Sequence, residues 1–433
     1  MQNIDIIQNS LDYIEVNLTA ELHIEDLAKA AGFSQYHYYR VIEHLVGLPA
    51  GQYITHRKLL HAAYAISQGE TVITVALQYG FCTSSGFYRA FVREFGCGPQ
   101  EYVRTHTVQR PYAIKLLQET HIMISQKKLQ KVLAHWQLQQ APIFDFYYTG
   151  TGQRADNLWR IGQNYVIKVG TNAAGLYRHI QLSRALYSRG FSISLPVSTP
   201  DGRDLVEENE LYFYLSTILH GQPVNCRDLY LGNNSLARQI GSAIGHLDVA
   251  LKDLDAEFIC NEPDLPELLA NRALPAVRAM VPLSDAFCTS FLRTFSLFWS
   301  NLPRQPIHRD PNPSNLILQN SNTIGFLDFE LSERNIRIFD PCYAATAILS
   351  EAFSNPELDR ESWFYILHEI FLGYDSTAHL TADEWQAIPY VLFAIEMICI
   401  SFFSSFEKYK ALTEVNLAML QWLLDSQARL ILF

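Results

Sequence analysis

Apolar residues recur at helical spacing through the first hundred residues of the chain. Tyr38, Ile42 and Leu45 lie on one face of a helix, and three phenylalanines between positions 87 and 95 repeat that face. Because residues three and four apart share a helix face, the pattern predicts short amphipathic helices with polar opposite faces. The first hundred residues are therefore predicted to be all-α.

Two segments of this region are copies of one unit. Three pairs of equivalent positions are each 48 residues apart: Ala28 and Ala76, Gly32 and Gly80, and Phe33 and Phe81. A helix-turn-helix unit needs a small residue where its helices cross, a glycine in a left-handed turn and an aromatic residue between the helices. Ser34 and the group at 83–85 are predicted N-caps of the second helices. The sequence predicts two helix-turn-helix units in tandem.

The polar faces of the two second helices predict contacts with double-stranded DNA. They carry side chains that reach phosphates and base edges in a major groove: Gln35, Tyr36, His37, Arg40, Ser84, Ser85, Arg89 and Arg93. Charge does not add to this prediction, because residues 1–110 hold eight Lys and Arg against ten Asp and Glu, and the whole chain has a net charge of −11. Affinity is therefore expected to come from a few side chains.

The repeated unit resembles the AraC/XylS family of transcription regulators over about residues 4–104. The resemblance rests on both copies, including Gly80-Phe81 through Phe91 and Gly96 through Pro99. It implies two recognition helices in successive major grooves on one face of the DNA. The alternative is a helical bundle that contacts protein instead.

Beyond residue 142 the pattern changes to alternating strands and then to long helices. Strands are predicted at 144–148, 157–161 and 164–169, a helix at 173–188, and mainly helices after 234, with a strand-rich insert at 307–330. Between the two parts, an amphipathic run at 125–138 with three lysines either packs on the second domain or adds a DNA contact. A small sheet followed by a helical lobe is an α+β arrangement.

Composition excludes other classes. Hydrophobic residues make up 48% of the chain and charged residues 18%, a balance typical of globular proteins. The seven cysteines lack CxxC spacing, which predicts reduced thiols rather than disulfides or a zinc site. The N-terminus has no export signal and the apolar run at 391–403 is interrupted by Glu396, so a cytoplasmic location without membrane contact is expected.

Candidate catalytic and metal-binding residues are most closely spaced at residues 307–330. The pattern His-x-Asp-x-x-x-x-Asn places Asp310 and Asn315 after His308, and Asp328 follows two apolar residues. Phosphoryl transfer needs a carboxylate that accepts the proton of the attacking hydroxyl, and oxygen ligands that hold magnesium on the nucleotide. The apolar residues 316–318 and 326–327 are predicted to pair as a hairpin, which would bring Asn315 and Asp328 to one metal.

From about residue 142 the chain resembles the aminoglycoside-phosphotransferase and choline-kinase-like branch of the protein-kinase-like superfamily. The resemblance implies ATP or GTP and Mg²⁺ as cofactors and a small hydroxyl-bearing molecule as substrate. It also implies a role for each matching residue: Asp310 as catalytic base, Asn315 and Asp328 as magnesium ligands, Lys168 on the phosphates, Ser216 and Ile218 at the hinge that meets adenine, and His308 and Asp340 as supports of the catalytic loop.

Together these features predict an all-α tandem helix-turn-helix domain followed by an α+β protein-kinase-like two-lobed domain. The expected bounds are 1–105 for the DNA-binding domain, 106–141 for the connector, and 142–433 for the kinase-like domain, with a small lobe at about 142–220 and a large helical lobe at about 221–433.

The chain departs from the resemblance at two places. The family usually carries a glutamate on the first helix that pairs with the strand lysine, but residues 177–181 contain no carboxylate. The loop before Asn157 has Gly150 and Gly152 without a full GxGxxG. Glu330 is either an additional carboxylate near the metal or a solvated side chain.

Two functions remain open at this point. The kinase-like part either phosphorylates a small molecule, or it is catalytically weak and senses a nucleotide or metabolite that controls DNA binding. Aromatic residues after 350 either surround a cationic amine or form plain core. The substrate or effector, the DNA target, activation against repression, and the oligomeric state are left undetermined by the sequence.

Overall fold

Seven helices form the N-terminal part of the computed structural model, which describes residues 2–106, 108, 110–116, 123–147, 154–254, 258, 261–320 and 323–431. They are α1 (Gln2–Val16), α2 (Ile24–Ala30), α3 (Gln35–Val46), α4 (Ala50–Ser67), α5 (Val72–Gln78), α6 (Ser84–Phe95) and α7 (Pro99–Thr105). The pairs α2–α3 and α5–α6 are the two predicted helix-turn-helix units, and α4 joins them.

The two units repeat the same turn. Gly32 and Gly80 adopt positive φ angles of 70° and 79°, and each following phenylalanine donates its backbone N–H to the carbonyl five residues earlier, at 2.9 Å. This is the hydrogen bond that closes a helix at a left-handed glycine. Ser34 caps α3 as predicted, while Thr83 alone of its group caps α6.

The core of this part is the predicted apolar face, and Val46 extends it. Tyr38 and Ile42 are fully buried on α3, and Val46 completes that face, whereas Leu45 is half-buried. The three phenylalanines of α6 are buried as predicted. Leu45 still packs against this core, as the predicted face requires.

A buried ion pair links the first and fourth helices. Arg57 of α4, only 3% exposed, donates two hydrogen bonds to the Glu15 carboxylate at 2.5 and 2.9 Å, and His61 lies 3.1 Å from the same group. The second basic residue of this helix, Lys58, is also directed inward, to the Ala20 carbonyl at 3.4 Å. Both side chains therefore bond to other groups of the same domain.

The small lobe is an antiparallel sheet. Its strands are β1 (Ile143–Tyr147), β2 (Arg154–Ile161), β3 (Tyr165–Gly170), β4 (Pro196–Val197), β5 (Val206–Glu208) and β6 (Leu211–Thr217). The order is β1-β2-β3-β6-β4, with β5 also paired to β6. The β2–β3 turn at Gly162 is confirmed, whereas the glycines at 150 and 152 lie outside the described residues.

The connector is part of two apolar cores. Ile114, Leu116 and Met123 pack against the core of the N-terminal helices. The next residue, Ile124, packs instead against the core beneath the small-lobe sheet. Met123 and Ile124 are adjacent in sequence, so no residue separates the two cores at this point of the connector.

The amphipathic run at 125–138 forms the short helix α8. It extends over Gln126–Leu133, followed by a single 3₁₀ turn. Its apolar residues Leu129, Val132 and Leu133 are buried against the sheet, and Lys131 lies 2.5 Å from Glu208 of β5. Of the two interpretations of this run, packing on the second domain is confirmed.

The large lobe contains a long first helix, a set of short strands and the remaining helices. The elements are α9 (Ala173–Ser188), β7 (Gln222–Pro223), α10 (Cys226–Tyr230), α11 (Asn234–Asp253), α12 (Leu265–Leu268), α13 (Leu274–Arg278), α14 (Asp285–Asn301), β8 (Arg304–Ile307), β9 (Leu316–Asn320), β10 (Thr323–Phe326), β11 (Glu333–Ile336), α15 (Phe339–Ser354), α16 (Ser362–Ala378), α17 (Ala382–Phe403), α18 (Lys410–Asp425) and α19 (Gln427–Ile431). The chain forms two compact units, residues 1–173 with 197–217, and residues 174–196 with 218–433.

Two helices of the large lobe cross in backbone contact. A Cβ atom at Gly241 of α11 would lie 1.8 Å from the Ile370 carbonyl oxygen of α16, and one at Gly373 would lie 2.0 Å from the Arg238 oxygen. Only glycine permits this approach. The crossing places Asp248 of α11 beside Tyr374 of α16, at 2.7 Å.

The most apolar helix of the lobe is α17. It is long and apolar enough to cross a membrane, but 67% of its most apolar window is buried inside the protein. Glu396 near its middle is buried too. The helix packs with α14, α15 and α18 as a core element.

We expect the Glu15→Gln variant to destabilise the N-terminal helices by about 3–5 kcal/mol, because it leaves Arg57 charged, buried and uncompensated. Burial raises the pKa of Glu15, but hydrogen bonds and charges from His61 and Arg57 outweigh it, so this pKa lies below its usual value. The contribution is therefore present above the unfolded pKa of about 4.3 and is lost as the pH falls through the lower folded pKa.

Urea unfolding followed by circular dichroism measures this effect. All six tryptophans lie beyond residue 135, so tryptophan fluorescence reports on the rest of the chain and circular dichroism is needed to follow the N-terminal helices. Asp26→Asn is the control, because Asp26 pairs with Lys29 in solvent, and it should change stability by less than about 0.5 kcal/mol. Equal effects of the two variants would show that the buried pair contributes nothing beyond a surface pair.

Candidate functional site

All eight predicted DNA-contacting residues are exposed. Four occupy the first turns of α3 and four the solvent face of α6: Gln35, Tyr36, His37, Arg40, Ser84, Ser85, Arg89 and Arg93. The Arg40 guanidinium lies 6.0 Å from the centre of the Tyr36 ring. The capping residues Ser34 and Thr83 fix the start of each helix, so these side chains begin at equivalent positions of the two units.

The first half of the phosphoryl-transfer set lies in the small lobe. Lys168 is half-buried on β3, between β2 and β6, and pairs in register with Leu158 and Tyr214. Ser216 of β6 is buried and pairs with Val166, and Ile218 follows the end of that strand. Ladder hydrogen bonds to β2 and β6 hold the backbone around Lys168 on both sides, and the pairing with β3 holds that of Ser216.

The second half lies in the large lobe on the segment after β8. His308 is fully buried and donates from Nε2 to the Leu327 carbonyl at 2.8 Å, while its Nδ1 accepts the backbone N–H of Asp310 at 3.3 Å. Burial lowers the pKa of His308, in agreement with a neutral ring that donates with one nitrogen and accepts with the other. The histidine thus connects the catalytic loop to the strand that precedes Asp328.

Asp340 fixes the backbone of the same loop. Its two carboxylate oxygens accept the backbone N–H groups of His308, at 2.7 Å, and Arg309, at 2.8 Å. Arg309 adopts a φ of +77°, a left-handed conformation that is unfavourable for a residue with a side chain. Its guanidinium lies 2.6 Å from Glu333 and 4.1 Å from the Phe339 ring centre, which secures that conformation.

A second buried carboxyl group lies behind Asp340. Burial raises the pKa of Asp248 far above its usual value, and the neighbouring Asp340 carboxylate raises it further. Two carboxylates at close range do not both ionise, so a neutral Asp248 faces an ionised Asp340. The Tyr374 hydroxyl donates to Asp248 at 2.7 Å, and Gln305 donates to its backbone carbonyl.

Asp310 is surrounded by amide donors. Asn312 donates to one carboxylate oxygen at 2.8 Å and Asn315 to the other at 3.1 Å; Asn315 also donates to the Asp310 backbone carbonyl at 3.0 Å. Burial raises the pKa of Asp310 to about 6. A carboxylate with this pKa remains ionised at neutral pH and is a better proton acceptor than an exposed aspartate.

The predicted hairpin is present and places the metal-ligand candidates. Leu318 pairs with Ile324, Ile317 with Gly325, and Leu316 with Phe326. Beyond the paired residues, the Leu327 N–H donates to the Asn315 carbonyl at 3.0 Å. Asn315 and Asp328 therefore lie at the same end of one hairpin.

The donor set at this end fits a nucleotide-bound divalent cation. Both polar hydrogens of the Asn315 amide are directed to Asp310, which leaves its oxygen for a ligand. Asp328 supplies a carboxylate from a left-handed conformation with φ of +63°. Among the described residues, no group of three or more His, Cys, Asp and Glu could hold a metal alone, so the remaining ligands would be phosphates and water.

Several groups of the site were not predicted from the sequence. Asn312, two residues after Asp310, could have been recognised from the loop pattern, but Asp248, Tyr374, Glu333 and His179 are far away in sequence. Glu330 is half-buried. Among the aromatic residues after position 350, Trp363 and Tyr374 are fully buried, whereas Tyr365 and Phe402 are exposed.

Known families match the two parts separately. Residues 27–105 match the model of a helix-turn-helix domain, and residues 143–370, more than half of the chain, match the model of the phosphotransferase enzyme family.

Curated relatives match the N-terminal part. The HTH-type transcriptional activator AarP of Providencia stuartii is 36% identical over 98 residues, which are 22% of this chain and 73% of AarP. The putative HTH-type transcriptional regulator YkgA of Escherichia coli strain K12 is 34% identical over 98 residues, which are 22% of this chain and 41% of YkgA.

Solved structures match the remainder. An amicoumacin kinase in complex with AMP-PNP and Ca²⁺ has a TM-score of 0.51 at 15% identity, covering 68% of this chain and 92% of that one. A microcompartment-associated aminopropanol kinase has a TM-score of 0.51 at 16% identity, covering 70% and 98%. At these identities the likeness shows the fold, and it confirms the predicted fold class. The chain therefore belongs to the phosphotransferase enzyme family and carries, ahead of that domain, an AraC-type helix-turn-helix domain related to HTH-type transcriptional regulators.

Proposed function

We propose that this protein is a sequence-specific DNA-binding transcriptional regulator whose C-terminal domain transfers a phosphoryl group from ATP or GTP to a hydroxyl of a small molecule. The observation that carries the enzymatic half is the geometry around Asp310. Its carboxylate is oriented by two asparagines, and its loop is held by His308 and Asp340. The proposed bounds are 1–105 for the DNA-binding domain, 106–141 for the connector and 142–433 for the kinase-like domain.

Each residue has a role in this mechanism. Asp310 orients the acceptor hydroxyl and takes its proton as the oxygen attacks the terminal phosphorus, while the bond from that phosphorus to the bridging oxygen breaks and the nucleoside diphosphate leaves. Lys168 neutralises charge on the nucleotide phosphates, and the backbone of Ser216 and Ile218 meets the base. Asn315 and Asp328 would hold Mg²⁺, which would supply neutralising charge on the phosphates. Aminopropanol, named for one of the kinases above, carries both an amine and a hydroxyl, so amino alcohols and aminoglycosides form the first substrate panel.

The second candidate function is a nucleotide or metabolite sensor that controls DNA binding, and the connector favours it. Met123 packs in the core of the helix-turn-helix domain and Ile124 in the core of the small lobe. Further bonds attach the connector to the DNA-binding helices: Gln8 donates to the Ile114 carbonyl at 2.8 Å and accepts the Leu116 N–H at 2.7 Å. Because Met123 and Ile124 are adjacent, a change in the small lobe would be passed directly to the core of the helix-turn-helix domain. The two functions are compatible in one protein.

We expect Asp310→Asn to lower kcat for phosphoryl transfer by about 10²- to 10⁴-fold, the usual contribution of a general base. The amide is isosteric and does not accept the proton, so folding and nucleotide affinity should persist. A coupled nucleoside-diphosphate assay with the substrate panel measures the rate, and Asp253→Asn, an exposed aspartate at the end of α11, is the control. Full activity of Asp310→Asn would eliminate this residue as the base.

We expect Arg89→Ala to weaken operator binding and to reduce the slope of log K against log salt by about 1, because one phosphate contact is lost. Fluorescence anisotropy at several salt concentrations gives both quantities. Arg293→Ala removes the same charge from an exposed position of α14 and should leave the slope unchanged. A shared effect of both variants would indicate net charge rather than a recognition contact.

We expect Gly47→Ala to abolish any effect of nucleotide on operator affinity. A Cβ atom at Gly47 would lie 1.9 Å from the Met123 carbonyl oxygen, so the connector must move away from the domain. Gly96→Ala is the matched control, because Gly96 ends α6 with a similar φ of 76° and a Cβ atom added there would meet no other atom within 4 Å.

Operator affinity is measured with and without magnesium and nucleotide. Wild type and Gly96→Ala should show a change of at least about fivefold, the lower end of usual allosteric coupling. If wild type shows no change, or if Gly47→Ala retains it, the connector does not transmit the signal.

A further inference from the structure

The first helix of the large lobe has a histidine where the family resemblance implies a glutamate nearby. His179 lies on α9 and is only 4% exposed. Its Nδ1 accepts the backbone N–H of Phe329 at 3.0 Å. Phe329 directly follows Asp328, so α9 is hydrogen-bonded to the residue next to the metal-ligand candidate.

The backbone around Asp328 needs external support. Asp328 has a φ of +63°, a left-handed conformation that costs free energy for a residue with a side chain. On its N-terminal side, Leu327 bonds to Asn315 and His308 within the catalytic segment. On its C-terminal side, the bond of Phe329 comes from α9.

A neighbouring residue of the same helix strengthens this attachment. Arg178 donates from Nη1 to the Ser332 carbonyl at 3.2 Å. The Phe329 ring is fully buried and lies 4.6 Å from the His308 ring and 6.3 Å from the His179 ring, measured between centroids. Consecutive residues of α9 therefore hold both ends of the segment 329–332.

We propose that His179 is a positioning residue for the metal-binding carboxylate: it holds the Phe329 amide so that Asp328 keeps its left-handed conformation and directs its carboxylate at the cation. This inference rests on the proposed phosphotransferase function. A helix carboxylate that pairs with a strand lysine acts on a side chain, whereas His179 acts on the backbone of the metal segment. Only an unprotonated Nδ1 accepts this hydrogen bond, with the ring proton on Nε2.

The test compares two substitutions of His179 in the full chain. His179→Leu removes the acceptor and keeps an apolar side chain of similar bulk, whereas His179→Asn retains an acceptor oxygen near the position of Nδ1. His246→Leu is the matched control, because His246 is exposed and, among the residues that the structure describes, bonds only to the Ser242 carbonyl of its own helix.

Three measurements are made on each variant: hydrogen exchange of the peptide containing Phe329, magnesium-dependent nucleotide binding by calorimetry, and the Mg²⁺ concentration that gives half the maximal phosphoryl-transfer rate. Loss of a group that orients a metal ligand typically weakens metal affinity about 10- to 100-fold. We expect His179→Leu to speed the exchange and raise the half-saturating Mg²⁺ concentration at least about tenfold. His179→Asn should restore both, and His246→Leu should change neither.

Other outcomes overturn the proposal. Unchanged exchange in His179→Leu would show that the hydrogen bond does not hold this segment. Faster exchange with unchanged magnesium dependence would leave His179 a structural residue only. If the wild-type chain binds no magnesium nucleotide and transfers no phosphoryl group, the proposed function fails together with this inference, whereas a functional wild type with an unaffected His179→Leu overturns the inference alone.

Discussion

The large lobe depends on one buried carboxylate, that of Asp340, which binds two successive backbone amides of the catalytic loop. These bonds stabilise the left-handed Arg309 and fix the direction in which the chain reaches Asp310. Asp340 has a neutral neighbour in Asp248, whose pKa is raised by burial and by the Asp340 carboxylate. The crossing of α11 and α16 places the Tyr374 hydroxyl 2.7 Å from Asp248, so the packing of these two helices contributes to the surroundings of the buried carboxyl pair.

Local features of this fold followed from the sequence. The repeat of 48 residues located both helix-turn-helix turns, Ser34 was identifiable as a cap, and the apolar residues around Asn315 and Asp328 predicted their hairpin. Each of these depends on residues close together in sequence, where helix and strand periodicity and turn chemistry decide the outcome. Leu45 packs against the core as predicted, and Val46, which was not predicted, is buried beside it.

Long-range contacts did not follow from the sequence. The bond between His179 and Phe329 joins residues 150 positions apart, and nothing in either local sequence indicates it. Arg57 lies on the helix between the two helix-turn-helix units and is buried against Glu15, a partner that its local sequence does not indicate. Burial of a charged residue depends on its partner, and the partner comes from a different helix.

The boundary between Met123 and Ile124 has a consequence for how such a chain can be recombined. Two domains joined by a flexible tether can be exchanged at any position of that tether, since neither loses a contact. Here a cut after Met123 separates neighbouring residues that belong to different apolar cores. A cut before Ile114 removes Ile114 and Met123 from the first core, and a cut after Leu129 removes Ile124 and Leu129 from the second. The segment therefore contributes to both cores. A new pairing of these domains requires a connector that matches both cores rather than a longer one.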